Sequence, residues 1–467
     1  MIDHGVIRAR MKNRNFVDTD TSQVRLAASM LEDIGLGGNA PVATRGSLYA
    51  YDDETGVWRE IDKQSLFSLA QAYDGCPVVG SKDTKPMKLD ARHCKGICEC
   101  AIANPDILDQ TFFDAAAEGI AFRNGFVRAT AEGIEFTPPS PKYRATACLD
   151  YDYDPEADCP EWNKVTHRVF ELDPDAAQKR LLLQEFIGAC VAGVPCRFAK
   201  VLVMSGGGNN GKNVVADIIS EHLFSSDVVS SLTPQSWAKP EFLSKLRNAR
   251  INVVNEMPAD DIQASDVFKA VVDGGAVTAR DLYAAPYTLR SRAGHVFLCN
   301  TLPGTRDNTL GFWRRVLVLE FKRNFSTHPD ETGQLRTKEE VKADLVKELP
   351  GIMLWALHGA VRLLKQGRYT VPDSHQVALD EWRMETDQVA AFVDDACRLD
   401  GAITPLSQVH TEFQRWCELR LRQKLHDKAL AKRLRSLGIT VRKSNVGQVV
   451  HATVMMQAAW GTKAATA

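Results

Sequence analysis

The stretch MSGGGNNGKNV, residues 204–214, decides how the chain is read. It comes within one residue of the phosphate-binding loop G-x-x-x-x-G-K-[ST], with Asn213 standing where a Ser or Thr ordinarily holds magnesium. The flanks separate a nucleotide cradle from an ordinary glycine-rich turn. AKVLVMSG before it is an unbroken apolar run that reads as a buried strand, and VVADIISEHLF after it has helical spacing. Strand, turn and helix, in that order, are what a phosphate cradle requires. Within it Gly206, Gly207, Gly208 and Gly211, with Asn209 and Asn210 between them, turn backbone N–H groups toward phosphates. The helix N-terminus adds its positive dipole end, and Lys212 reaches the β/γ-phosphates. ATP is the expected ligand. Asn213 would be a poorer magnesium ligand than a hydroxyl, directly or through water.

Three further apolar runs come later in the chain: ARINVVNE (249–256), GHVFLCN (294–300) and RVLVLEF (315–321). Such runs predict strands buried on both faces of an α/β sheet. Glu256 ends the first of them, where a carboxylate can orient or deprotonate an attacking water and help hold magnesium. The plainer alternative is a surface carboxylate at a strand end. Asn255 occupies the place of a first acid. Asn300 ends the second run, where its amide can bind a γ-phosphate or its attacking water. Arg314 and Arg315 precede the third. They are either solvated or stacked on Trp313, or Arg315 is an arginine finger that completes the site of a neighbouring subunit.

The rest of the chain bounds these readings. Its 467 residues leave room for about two to four domains. A formal net charge of −2 confines any nucleic-acid contact to a local patch. The N-terminus has no apolar signal region, and the most apolar stretch, Phe186–Pro195, is too short to span a bilayer, so no membrane partner is expected. Eleven cysteines scattered singly suit a reducing cytoplasm, the host's if the chain is phage-encoded. His93, Cys94, Cys98 and Cys100 offer soft metal ligands, but no second C-x-x-C pair closes a tetrahedral site, so buried helix cysteines are the preferred reading. Asp150, Asp152 and Asp154 alternate with aromatics. Pro155 and Pro160 favour an acidic linker there over a two-metal carboxylate strand.

Three units are expected. Residues 1–160 read as an α+β, collar-like domain with a hairpin and then a helix after Ala50. Residues 161–380 read as the α/β ATPase. Residues 388–467 read as three helices and a strand pair, the pattern of a winged helix. Between Arg415 and Lys443 basic residues dominate, with only Glu418 and Asp427 opposing them. Lys432, Arg433 and Arg435 on the basic helix KALAKRLRSLG are the expected phosphate contacts there.

The phosphate loop, NVVNE, FLCN and FWRRVLVLEF, in that order and spacing, resemble the superfamily 3 helicases, and more closely the poxvirus D5-like and phage P4-like replication helicases. Between the second and third motifs, FKAVVDGGAVTARDLYAAPYTLR (268–290) matches a signature of that family through Lys269, Gly274–Gly275, Ala279–Arg280 and Tyr283. The resemblance covers roughly residues 120–370. It implies an AAA+-like core in which Lys212 binds phosphate, Glu256 is the Walker B acid, Asn300 is sensor 1 and Arg315 the finger. Lys269 would reach a neighbouring nucleotide. Arg280–Pro286 would form a hairpin in a ring channel, with Arg280 and Tyr283 gripping single-stranded DNA. The chain departs from the family at Ala276, where an acidic residue is usual, at Ala284, where a Lys often tips the hairpin, and at Asn213 and Asn255.

The resemblance implies an ATP- and magnesium-dependent replicative DNA helicase of a phage or mobile element. It would be a homo-oligomer, a hexamer, acting on single-stranded and forked DNA, with a primase or polymerase in trans. The alternative is an ATP-binding, origin-binding initiator or loading factor with little turnover. A small-molecule P-loop kinase leaves Arg315 and the hairpin without a role.

Overall fold

The computed structural model describes residues 4–35, 38–258, 265–282, 285–300, 302–303, 305, 309–327, 336–420, 424–444 and 447–454. Tyr283, Ala284, Arg422 and the strand junction at Asn445 lie outside the described residues.

The four expected apolar runs, joined by a short strand at Val229–Ser230 that was not expected, form one parallel sheet of five strands: β1 (Val201–Ser205), β2 (Val229–Ser230), β3 (Ile251–Val254), β4 (Gly294–Cys299) and β5 (Val316–Glu320). Their spatial order is β2-β3-β4-β1-β5. Val201 to Ser205 pair in register with His295 to Cys299 on one side and Val316 to Glu320 on the other. Alternate side chains of each strand enter different cores, because the side-chain period of a strand is two. Leu202, Met204, Val253, Val296, Leu298, Leu317 and Leu319 pack with the helices on one face. Val201, Val203, Val254, Phe297, Val316 and Val318 pack on the other face with Trp237, Phe268, Phe312, Trp313 and Trp382. This double burial is why the runs lack a polar alternation.

Helices Pro160–Phe170, Ala176–Ala192 and Leu349–Gln366 cover the first face. The last two approach closely at glycines. A Cβ on Gly188 would lie 2.2 Å from the Ala356 carbonyl oxygen, and one on Gly359 would lie 2.4 Å from that of Gln184. Buried Glu185 is satisfied by Arg362 Nε (2.7 Å), the Thr370 amide (2.6 Å) and the Thr370 hydroxyl (2.8 Å), which fixes the end of the Leu349–Gln366 helix against its partner. Helix Asp373–Thr386 lies along β5, where the Val318 amide donates to His375 Nδ1 at 3.0 Å. It thereby covers the sheet's edge.

Residues preceding the sheet build two smaller units. Helices His4–Lys12, Gln23–Ile34, Lys63–Ala70 and Ala91–Ile102 surround a core with Leu26, Met30, Tyr73 and Ile97, together with the antiparallel meander Val42–Thr44, Ser47–Asp52 and Val57–Ile61. A four-stranded sheet orders Cys148–Leu149, Ile120–Phe122, Gly125–Ala129 and Ile134–Thr137. Its Ile120, Phe122, Val127 and Leu149 share the core of the helices on the main sheet.

The acidic run beyond it is irregular and anchored by its aromatics. Tyr151 donates to the Leu223 carbonyl at 3.0 Å, and Tyr153 packs on Phe122. Cys94 is buried in helix Ala91–Ile102, and His93 forms the N-terminal capping box with Asp90. Among the described residues no cluster of three or more His, Cys, Asp or Glu could hold a metal, and no helix is long and apolar enough to cross a membrane.

At the C-terminal end come helix Gln388–Ala396, strand Cys397–Pro405, helices Leu406–Leu419 and Asp427–Ser436, and strands Val441–Ser444 and Gly447–Val454. The three strands form an antiparallel sheet with Gly447–Val454 in the middle. The strand Cys397–Pro405 was not expected from the sequence. The three helices and the final strand pair were.

Candidate nucleotide site

The loop 206–211 leaves the C-terminal end of β1 and enters helix Lys212–Asp217, which continues as a π-helical stretch Ile218–Leu223. Its glycines divide into two kinds. Gly206 (φ +147°) and Gly211 (φ +80°) hold backbone conformations that favour glycine, and both are crowded. A Cβ would lie 2.4 Å from the Phe321 carbonyl oxygen at the first and 2.6 Å from Val169 Cγ1 at the second. At Gly207 and Gly208 a Cβ would meet nothing within 4 Å. The loop is therefore open on the side of Gly207 and Gly208.

The asparagines hold the loop from behind. Asn210 is buried. Its Nδ2 donates to the Phe321 carbonyl at 3.1 Å, and its Oδ1 accepts from the Lys212 amide at 3.2 Å. That side chain is committed to the loop. Asn209 adopts a left-handed backbone (φ +60°), its carbonyl accepts from the Phe325 amide at 2.9 Å, and its side chain pairs with Ser326. The segment after β5 thus clasps the cradle.

Lys212 is buried and makes three hydrogen bonds, matching its three protons. Nζ donates to the carbonyls of Gly206 (2.9 Å) and Cys299 (2.7 Å) and to Asn300 Oδ1 (3.2 Å). The lysine and the Asn300 amide singled out in the sequence are therefore in direct contact across the ends of β1 and β4. Burial lowers the ammonium's pKa from its ordinary value, because desolvation disfavours its charged form.

Asn255 and Glu256 follow the C-terminal end of β3, both exposed, and the Met257 amide donates to the Leu298 carbonyl at 2.8 Å to bind this turn to β4. Asn213 is exposed on the first turn of the loop's helix. The C-terminal edges of β1, β3 and β4 thus present the loop, Asn300 and Glu256 together, in the crevice where open α/β sheets place ligands.

Arg315 lies elsewhere. It precedes β5, and its carbonyl accepts from the Val201 amide at 2.8 Å, at the start of β1. The loop leaves the other end of β1, five residues away, or roughly 17 Å at a strand rise of about 3.3 Å per residue. Arg315 is buried. Its Nε donates to Asp273 Oδ1 at 2.7 Å, Nη2 pairs with Asp273 Oδ2, and Nη1 donates to the Gly311 carbonyl. Lys269, on helix Ser265–Val272, comes to the same place. A Cβ on Gly311 would lie 3.5 Å from Lys269 Cε and 3.8 Å from Arg315 Nη1. The two cations assigned to a neighbour's nucleotide share one patch, at the opposite end of the strands from Lys212. Arg314 is exposed, and it is Arg383, not Arg314 or Arg315, that lies over Trp313, at 5.4 Å. Asp273 was not singled out in the sequence. Nothing in VVDGG marks it, since its role depends on a partner 42 positions away.

Strands Ala276–Ala279 and Tyr287–Arg290 pair antiparallel as a hairpin. Arg280 pairs with Glu241, and its amide donates to the Pro240 carbonyl at 3.0 Å. Arg247 pairs with Asp281 and lies over the Tyr287 ring at 4.6 Å. Leu282 is 74% exposed at the hairpin's outer end.

Of the expected C-terminal DNA contacts, Lys432 and Arg435 are exposed. Arg435 Nε donates to the Val441 carbonyl at 3.2 Å. Arg433 pairs with the buried carboxylate of Asp387 (Nε to Oδ2, 2.8 Å). Arg420 pairs with Asp395 and Arg415 with Glu412, so acids outside the basic run, or at its edge, neutralise part of it.

Two family models match the chain: "D5 N terminal like" over residues 42–171 and a family of unknown function (DUF5906) over residues 204–315. The second match begins at the loop and ends at Arg315. Among curated proteins, the chain is 26% identical over 261 residues to "Putative helicase 022R" of Frog virus 3 (isolate Goorha), covering 52% of this chain and 26% of that protein. It is 26% identical over 225 residues to "Putative helicase L207/L206" of Acanthamoeba polyphaga mimivirus, covering 46% of this chain and 23% of that one. A third relative, "Putative helicase 184R" of Invertebrate iridescent virus 6, is 23% identical over 242 residues, 49% of this chain and 24% of that protein. The chain spans about a quarter of the length of these relatives. Among solved structures, the apo C-terminal region of NrS-1 aligns over 93% of this chain and 99% of its own, at 12% identity and a TM-score of 0.45. The D5 N-terminal match and the three viral relatives agree with the resemblance to the D5-like helicases that the motifs carry.

Proposed function

We propose that the chain is an ATP-dependent DNA helicase subunit that works in a ring, a hexamer, and translocates on single-stranded DNA at a fork. The observation that carries this reading is the separation of Arg315 from the loop. A cation at the far end of β1 has no access to its own subunit's nucleotide, so its use in hydrolysis requires a neighbour. In this reading the parallel sheet is an AAA+-like P-loop core. Gly206–Gly211 cradle the phosphates, Lys212 exchanges its carbonyl partners for phosphate oxygens, and Asn300 and Glu256 hold and activate the attacking water. Asn213 and Glu256 fit a magnesium ion that keeps several waters, which would neutralise phosphate charge when bound. Lys269 and Arg315 serve the adjacent subunit's nucleotide.

The hairpin around Arg280 and Tyr283 would line the channel, and the C-terminal helices and sheet would be a winged helix touching DNA phosphates. Host cytoplasm is the setting of such a replication protein, with a primase or polymerase recruited in trans. The initiator alternative draws support from the sparse magnesium ligands at Asn213 and Asn255. Turnover strongly stimulated by single-stranded DNA separates a motor from an initiator.

The test is complementation. Lys212→Ala loses hydrolysis because its loop no longer binds phosphate, and Arg315→Ala loses it because its neighbour lacks the finger. Mixed, they form some interfaces with an intact loop and an intact finger, and part of the activity returns. Mixtures as inactive as either parent would rule out the shared site.

A further inference from the structure

Arg315 does not project from the surface as a donor to another subunit would. Its side chain is 6% exposed and doubly bonded to Asp273, whose own side chain is 38% exposed. We propose that Asp273 is a positioning residue for Arg315, holding the guanidinium against its own subunit until a neighbour's bound nucleotide competes for it. This rests on the shared-site reading above.

A carboxylate and a terminal phosphate offer a guanidinium the same paired acceptor oxygens, so one can replace the other without a change in the arginine's hydrogen-bonding geometry. Asp273 also sits where its charge is weakly held. It directly follows helix Ser265–Val272, with its amide donating to the Lys269 carbonyl at 3.0 Å. A negative charge at a helix C-terminus opposes the helix dipole, and Arg315 offsets that opposition. When the guanidinium leaves, water reaches the half-exposed carboxylate.

The position of Asp273 also ties the hold to the hairpin. Gly274 (φ +66°) and Gly275 alone separate it from strand Ala276–Ala279, and the Gly275 amide is bonded to the Ala270 carbonyl at 2.7 Å. A pull on the hairpin therefore reaches Asp273 through two residues. Leu310, 73% exposed beside this patch, is placed to be covered when a second copy of the chain arrives.

The test uses the purified full chain and follows ATP turnover against subunit concentration. Asp273→Asn keeps the shape and removes the charge that competes with phosphate. It is expected to lower the subunit concentration for half-maximal turnover about fivefold, the scale of one charge-assisted pair partly exposed to water. Asp273→Glu restores the charge and should return the curve toward wild type. Asp273→Asn combined with Arg315→Ala should stay as inactive as Arg315→Ala alone, because the freed group is missing. A second charge-removing variant, Asp273→Ser, guards against a fold effect peculiar to Asn.

An unchanged or higher half-maximal concentration in both charge-removing variants overturns the proposal, as does turnover that Asp273→Asn restores without Arg315. Failure of the underlying reading looks different. Wild-type turnover would then be independent of subunit concentration, and Lys212→Ala mixed with Arg315→Ala would stay inactive, which sinks the shared site and the hold together.

Discussion

At Asn213 the chain departs from the ordinary cradle, and the departure has a measurable consequence. The residue is exposed on the first turn of the loop's helix, so its amide oxygen faces solvent and any bound ion. Asn210 offers no help, since its side chain is spent on Phe321 and the Lys212 amide. With few oxygens left, each counts for more. Asn213→Ser should therefore raise turnover, and lower the magnesium needed for half-maximal rate by about two- to threefold. A magnesium titration of both proteins at saturating ATP checks this, and a shift to higher magnesium in the variant would contradict it. At this scale the sequence was most informative about groups whose role is local. The placement of Lys212 and the loop glycines between a strand and a helix follows from spacing alone. Roles set by distant partners, such as Asp273 under Arg315 or Asp387 under Arg433, were not legible, because the pairing depends on the fold.

Among the elements, the paired helices Ala176–Ala192 and Leu349–Gln366 show what fixes the first face of the parallel sheet. Gly188 and Gly359 let the backbones meet where a methyl group would strike a carbonyl oxygen. Alanine at 188 gains about 1 kcal/mol of helix propensity over glycine. It also loses the close approach, and forcing backbone apart in a packed core costs about 1–3 kcal/mol. The obstacle is backbone rather than a flexible side chain, so the cost should prevail. Gly188→Ala is expected to lower the urea midpoint of unfolding with an unchanged slope; a raised midpoint would show that the helices can separate freely.

Four of the five parallel strands were legible as apolar runs, whereas Val229–Ser230, only two residues long, was not. Strand Cys397–Pro405 was not, for visible reasons. Most of its residues are exposed, Gly401 has φ +78°, and its pairing with Gly447–Val454 shifts register between Arg398 and Ile403. A bulged, solvated strand leaves no two-residue alternation to read.

For the molecule as a whole, buried histidines link stability to pH. Burial pushes His295 down to about 3 and His375 down to about 4, while in the unfolded chain both titrate near about 6.5. Between those values the unfolded state binds more protons, so stability is fully present above about pH 6.5 and is lost as pH falls toward 4. The slope is at most about 1.4 kcal/mol per pH unit for each histidine. Thermal unfolding followed from pH 7 to 4 should show this decline. His375→Gln, which keeps an acceptor for the Val318 amide, should make it shallower; an identical decline would remove His375 from the linkage.

The near-neutral total charge makes the C-terminal segment a sharper test of DNA binding than composition suggests. Arg415, Arg420, Lys424 and Arg433 are paired with acids, so they have little left to offer phosphates. Lys428, Lys432, Arg435, Arg442 and Lys443 are exposed on helix Asp427–Ser436 and strand Val441–Ser444. Five such cations, each releasing about 0.7 of a counterion from single-stranded DNA, would contribute roughly 3.5 to the salt slope. Deleting residues 388–467 should weaken binding and reduce the slope of log affinity against log salt by about that amount. Lys432→Ala should reduce it by less than one. Arg433→Ala should instead destabilise the segment, because it strands the buried Asp387 carboxylate, and leave the slope of the folded protein nearly intact. If the slope survives the deletion unchanged, the phosphate contacts lie elsewhere, and the hairpin at Arg280 becomes the first place to look.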